Sequence, residues 1–283
     1  MKICRFNSNR VGVIEGDTVK DITNKLDLNP TWPLPPGDWV VSQLAAANSS
    51  DLLAGAKSLP LSDIRLDSPI ANPGKIIGAP INYKAHIDEA NADREINQGK
   101  TYTQLDEYGL FLKAGSSLIG PSEVIRPRFA DRRTDHEVEL AIVIGKTANR
   151  VSRENAFDYI YGYTVGLDIT VRGKEFPGFR KSPDTYSVLG PWIVTADEIP
   201  DPDALDLWLS VNGQIKQKSN TRMMIFGVAR LIEYASSFYT LHPGDVIMTG
   251  TPEGVGPIVP GDTLDVEVER VGKLAIKVGE VTA

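Results

Sequence analysis

Apolar residues fall along this chain in two textures. In the first seventy positions short alternating runs are broken by turns and prolines, and Gly12-Val13-Ile14-Glu15-Gly16-Asp17-Thr18-Val19 reads as strand, turn and strand. Pro30, Pro33, Pro35 and Pro36 then interrupt regular structure, a helical stretch is expected over 40–56, and Pro60, Pro69 and Pro73 mark a boundary. Residues 1–68 are read as a small N-terminal α+β domain and residues 69–283 as the main domain. From Lys75 onward compact runs rich in β-branched residues dominate. Lys75-Ile76-Ile77-Gly78, Glu139 to Gly145 and Tyr161 to Val171 predict strands. Asn212-Gly213, between Leu207 to Val211 and Gln214 to Gln217, predicts a type I′ hairpin, because Asn-Gly tolerates the positive φ angles of that turn. Leu264, Val266 and Val268 alternate with acids, and Val271-Gly272-Lys273 turns the chain into Leu274 to Val278. One clear amphipathic helix is expected over 225–240, with Ile225, Val228, Ala229, Ile232, Ala235 and Tyr239 on one face. The expected fold class is α+β, rich in strands and poor in helices.

The polar stretch 90–109, with Asn-Ala-Asp-Arg-Glu-Ile-Asn-Gln-Gly-Lys near its start, fits neither texture. Its length suits a lid or binding loop, and a solvated helix is the plainer alternative.

Charge and cysteine content narrow the classes. The 283 residues carry 30 Lys+Arg against 37 Asp+Glu, a net charge of −7, with three His and one Cys. An acidic chain without a basic run is not built to neutralise phosphates, so no nucleic-acid partner is expected. No apolar run reaches the ~18 to 20 residues that span a bilayer, and Met1 to Phe6 lacks the apolar core of a secretory signal, so no membrane partner is expected either. Cys4 has no partner within the chain, which points to a reducing, cytoplasmic setting. One Cys and scattered His give no zinc spacing, so any metal must be held by carboxylates.

Carboxylates do stand in unusual places. Asp135-His136-Glu137-Val138-Glu139 runs into the apolar Leu140 to Ile144, and strand alternation puts Glu137 and Glu139 on one face. Two like charges beside a buried strand call for a cation, and oxygen ligands suit Mg2+, Mn2+ or Ca2+; an exposed strand start would instead leave both acids in water. Asp168 lies alone in Tyr163-Thr164-Val165-Gly166-Leu167-Asp168-Ile169-Thr170-Val171, as a third ligand or as a satisfied buried acceptor. His86 and Glu89, three apart, share one side of a helical turn, where a carboxylate can orient an imidazole as a general base; solvated helices carry the same pair. His136 points away from the Glu137 and Glu139 face, and His242 reads as part of a surface turn.

These pieces together resemble the fumarylacetoacetate hydrolase superfamily, including its acylpyruvase and 2-hydroxyhepta-2,4-diene-1,7-dioate isomerase members. The likeness runs from Lys75 to the C-terminus through Ile77 to Tyr83 with His86 and Glu89, Phe111-Leu112-Lys113, Asp135 to Leu140, Gly166-Leu167-Asp168 with Arg172, Arg180 to Thr185, Leu189 to Trp192, Asn220-Thr221 with Met224 to Phe226, and Thr249 to Gly256.

The resemblance implies a C-terminal catalytic domain of mixed, rolled β-sheets and a divalent cation, Mg2+ or Mn2+, with Ca2+ a further candidate, on Glu137, Glu139 and Asp168. It implies a water handled by His86 and Glu89, charge stabilisation by Lys181, and substrate contacts from Asn82, Tyr83, Arg172, Glu175, Gly250 and Thr251, the last two in a loop whose backbone donors face the substrate. A lid over 90–109 and a homodimer follow from the same likeness. The implied chemistry is hydrolysis of a carbon–carbon bond in a β-diketo acid through a metal-bound enolate. The alternatives are isomerisation or decarboxylation of a 2-oxo or 2-hydroxy-dienoic acid, or a catalytically silent metal-binding member. Many members carry Arg-Asp-x-Gln where this chain has Arg172-Gly173-Lys174-Glu175, so Glu175 replaces a neutral amide.

Overall fold

A twelve-stranded sheet organises the protein in the computed structural model, which describes residues 1–281. From edge to edge its main path runs Lys57–Pro60, Thr18–Asp21, Arg10–Glu15, Lys2–Phe6, Ser187–Thr195, Ile160–Asp168, Val138–Ile144, Val246–Met248, Ile76–Gly78 and Phe111–Lys113. Neighbours on this path are antiparallel except Val246–Met248 with Ile76–Gly78. A second sheet of five strands contains the hairpin Asp206–Val211 and Gln214–Asn220, followed by Thr263–Val268, Gly272–Val278 and Val124–Ile125. Three short strands, Thr170–Val171, Thr134–His136 and Gly256–Pro257, form a third.

Every residue of Val138–Ile144 and Ile160–Asp168 is buried, because both faces of the central sheet are covered. Leu140, Ile142, Val165 and Leu167 pack in one core with Leu207, Leu209, Val266 and Ile276 of the second sheet and Val228, Leu231 and Ile232 of the long helix. Ala141 and Val143 point the other way, into a core shared with Ile3, Val11, Val13, Val41 and Leu44. The N-terminal strands continue the same sheet, with Lys2 opposite Val194 and Ile3 opposite Ile193.

Local differences from the sequence expectations have identifiable causes. The stretch 40–56 is two helices, Trp39–Ala46 and Ser49–Leu53. Asp38 caps the first, and the Asn48 side chain accepts from Ser50 N to start the second. The long helix spans Val228–Phe238, and Ile225 lies outside it, exposed, with its N–H given to the Asn82 carbonyl. Tyr161 to Val171 is not one strand: Ile160–Asp168 stays in the main sheet, while Thr170–Val171 joins the small third sheet. The Asn212-Gly213 turn takes positive φ at both residues, as the hairpin requires. Among the described residues no helix is long and apolar enough to cross a membrane.

Candidate metal centre and active-site cavity

Glu137, Glu139 and Asp168 converge. Each offers one carboxylate oxygen within 4.8 Å of the others, and all three are buried. Pairing of Val138–Ile144 with Ile160–Asp168 brings them together: Val138 sits opposite Leu167, and Asp168 N donates to the Glu137 carbonyl. An exposed strand start is therefore excluded.

The electrostatics of this cluster are uneven. Burial pushes the Glu139 carboxyl well above its usual range, and the Asp168 charge pushes the same way. Burial acts likewise on Glu137, but Lys181 and Arg172 outweigh it and hold that carboxyl well below the ordinary range. Lys181 Nζ donates to Glu137 Oε2 (2.5 Å), Asp168 Oδ2 (2.8 Å) and Thr170 Oγ1 (2.7 Å). Arg172 joins Glu137 to Asp135, with Nη2 on Glu137 Oε1 at 3.0 Å and Nε on Asp135 Oδ2 at 2.7 Å. Lys113, itself buried, donates to Asp168 and to the Tyr186 carbonyl. Glu139 alone has no ion pair with a protein cation; its Oε2 accepts only from Gly250 N, at 2.6 Å. Three buried oxygen donors, one of them lacking a counter-charge, form a donor set that suits a hard divalent cation.

His86 lies beside this cluster on the helix Lys84–Ala92, buried and lining a cavity of about 440 Å³ that also contacts Glu137, Glu139, Arg172, Lys181 and Thr251. Its Nδ1 is 2.9 Å from Glu89 Oε2, while Glu89 Oε1 accepts from Gly254 N at 2.9 Å. A carboxylate can only accept from the ring, so Nδ1 carries a proton and, in the neutral tautomer this selects, the lone pair is on Nε2. Gly254 is required there: its φ is +91°, and a Cβ would meet the Lys216 carbonyl oxygen at 2.0 Å.

The segment 90–109 is folded over this cavity. Helices Arg94–Asn97 and Leu105–Tyr108 follow Lys84–Ala92, and Ile96, Lys100, Tyr102 and Tyr108 line the space. Arg133 ties the segment to the centre, holding Asp93 and Glu95 with Nη1 and Asp135 with Nε.

Three expected substrate contacts, Asn82, Tyr83 and Gly250, are revised, while Glu175 and Thr251 stay on the cavity. Asn82 is fully buried and spent on backbone: Nδ2 donates to the Phe226 and Thr249 carbonyls, and Oδ1 accepts from Phe226 N. Tyr83 is buried away from the cavity lining. In the glycine-rich loop, Gly250 N serves Glu139 and Gly254 N serves Glu89, and Gly250 is not on the cavity lining. Glu175 borders the cavity, but both its oxygens are held by Arg132, at 3.0 and 2.8 Å. Thr251 does line the cavity, with its hydroxyl donating to the Val138 carbonyl and accepting from Gln217. Asn82→Ala tests the revised role. It leaves the partners of three hydrogen bonds unpaired, should cost about 2–3 kcal/mol, and should lower Tm by roughly 5–10 °C in a melting experiment. KM of the surviving folded enzyme should stay within about twofold, whereas a substrate-binding role would raise it tenfold or more.

Sequence reading passed over three groups here. Lys113 ends an apolar strand, a placement as anomalous as that of Asp168. Asp135 shares the period-two spacing of Glu137 and Glu139, a signal that could have added it to the cluster, whereas Arg180 carries no comparable one.

Residues 75–279 match the fumarylacetoacetate (FAA) hydrolase C-terminal family. The chain is 54% identical over 287 residues to maleylpyruvate hydrolase of Aquipseudomonas alcaligenes, covering 99% of this chain and 100% of that one. The structure of maleylpyruvate hydrolase from Sphingobium sp. SYK-6, in complex with manganese(II) and pyruvate, superposes with a TM-score of 0.85 at 39% identity over 100% of both chains. A 5-carboxymethyl-2-hydroxymuconate delta-isomerase from Mycobacterium smegmatis gives a TM-score of 0.75 at 34% identity, covering 99% of this chain and 100% of that one. With its carboxylate cluster and this extent of likeness, the chain belongs to the fumarylacetoacetate hydrolase family.

Proposed function

We propose that the protein is a divalent-metal-dependent hydrolase that cleaves an acylpyruvate of the maleylpyruvate type into pyruvate and a carboxylic acid. The observation that carries this reading is that His86, hydrogen-bonded to Glu89, lines the same cavity as Glu137 and Glu139 of the three-carboxylate cluster. Glu137, Glu139 and Asp168 would hold Mg2+ or Mn2+, which when bound supplies a Lewis acid for a chelating 2-oxo acid.

The rest follows from side chains. Glu89 fixes the imidazole tautomer, and Nε2 of His86 takes a proton from water as the water's oxygen adds to the acyl carbonyl. The bond between that carbonyl carbon and the pyruvyl methylene then breaks, its electron pair stays with the pyruvyl fragment, and a proton completes pyruvate. Lys181, at the edge of the carboxylates, places positive charge where the enolate forms. The Ile96, Tyr102 and Tyr108 side of the cavity limits access of bulk water.

In this reading the chemistry lies within 69–283, and residues 1–68 buttress the sheet edge. Assembly as a homodimer in the cytoplasm belongs to the same proposal; exposed Phe179 and Phe238 and the buried thiol of Cys4 support it. The test is incubation of purified protein with Mn2+ and maleylpyruvate, following pyruvate with a coupled dehydrogenase. Stoichiometric pyruvate without CO₂ is expected. Isomerisation with conserved mass, or CO₂ release, would replace this reading.

A further inference from the structure

Among the described residues, the cavity holds one buried cation that no protein group pairs with. Arg180 ends the short helix Pro177–Arg180, is 8% exposed, and lines the cavity immediately before Lys181. Its guanidinium makes no hydrogen bond or ion pair among the described residues, and Nη1 is shut off from solvent with no partner. Such a group is costly to bury unless an anion meets it.

Carboxylates near Arg180 are already committed. Glu137 is held by Lys181 and Arg172, and Glu175 by Arg132. On its other side Arg180 borders a smaller cavity lined by Arg128, Phe129 and Arg132, where no acid is found. Burial and the neighbouring Arg172 charge both disfavour the cation, and the charges of Glu137 and Asp168 offset them only in part. The other cations on the main cavity are different in kind: Lys100 is exposed, and Arg172 and Lys181 are bound to acids.

We infer that Arg180 is the receptor for a second carboxylate at the acyl end of the substrate, making the enzyme selective for dicarboxylic acylpyruvates. The assignment rests on the hydrolase reading above and adds the feature that selects the acyl group. Arg180 and Lys181 line one cavity from adjacent positions in the chain, so a ligand whose 2-oxo acid end lies beside Lys181 has a distal carboxylate within the same space as Arg180. A guanidinium presents two parallel donors that match a carboxylate. The committed state of Glu175 is part of the device, because a free carboxylate there would compete with the substrate for Arg180.

The experiment compares Arg180→Gln and Arg180→Lys with wild type on maleylpyruvate and on acetylpyruvate, which lacks the distal carboxylate. For Arg180→Gln, kcat/KM on maleylpyruvate should fall about 100-fold or more, with a loss at least tenfold smaller on acetylpyruvate; Arg180→Lys should recover part of the difference. Equal losses on both substrates would show a merely structural role and overturn the assignment. Calorimetric titration of maleate into the manganese-loaded proteins supplies a second readout without turnover. Wild type should bind maleate at least about tenfold more tightly than Arg180→Gln, and equal affinities overturn the assignment. If wild type cleaves neither acylpyruvate, the hydrolase reading fails, and the maleate titration alone decides Arg180.

Discussion

Glu139→Gln will leave a folded protein that no longer gains thermal stability from Mn2+ and has lost activity by about three orders of magnitude or more. Glu139 is the acid to change because, among the described residues, it alone of the three has no ion pair with a protein cation, so the substitution breaks none. The amide keeps an oxygen for Gly250 N. Metal at about 100 times its Kd should add about 2.7 kcal/mol to the wild type, a shift of several degrees that EDTA reverses. That gain should vanish in the variant.

Without metal the sign reverses. Burial and Asp168 raise the Glu139 carboxyl above its ordinary 4.5, so between that value and the raised one the folded state holds a proton that the unfolded state has lost. Stability of the metal-free wild type therefore falls as pH rises through this window, and Glu139→Gln escapes the loss. Melting both proteins in EDTA across pH 4.5 to 8 checks it; a variant that melts earlier than wild type at pH 7 would contradict the electrostatic account.

His86→Ala is the second large effect, and it separates chemistry from metal binding. The imidazole is no ligand of the carboxylate cluster, and its Nδ1 is bound to Glu89. Loss of a general base costs about 10²- to 10⁴-fold in kcat, while Mn2+ affinity and KM should change by less than about threefold. Glu89→Gln should show a smaller loss, because the amide oxygen can still accept from Gly254 N while its NH2 cannot accept from the ring, so the tautomer control is lost but the ring stays in place. Retained turnover in His86→Ala would remove the base from the mechanism. Loss of metal in that variant would instead place His86 among the ligands.

The parts of the site that could be read in the sequence share one property: they break a pattern. Glu137 and Glu139 interrupt an apolar run with period two, and Asp168 stands alone in nine buried residues. Their meeting depends on the register of two strands, which no local pattern encodes. Arg180 was invisible for the opposite reason, since it follows Pro-Gly-Phe in a polar stretch where an arginine is unremarkable until burial is known. Asn82 misled because the family likeness implies a substrate contact there, and only the positions of Phe226 and Thr249 reveal it as a brace. The fold was legible by class and strand content. Helix ends at Asn48 and Ile225 were not, because a capping side chain and a long-range backbone bond decided them.

That brace also sets a timetable for synthesis. Asn82, two residues before the helix that carries His86, is fastened to carbonyls at positions 226 and 249, more than 140 residues downstream. At about 5–20 residues per second a ribosome needs roughly 10 to 30 s to supply those partners. All three acids of the carboxylate cluster are on the chain by residue 168. A nascent chain therefore carries all three acids of the cluster well before Asn82, and the His86 helix that follows it, can be braced.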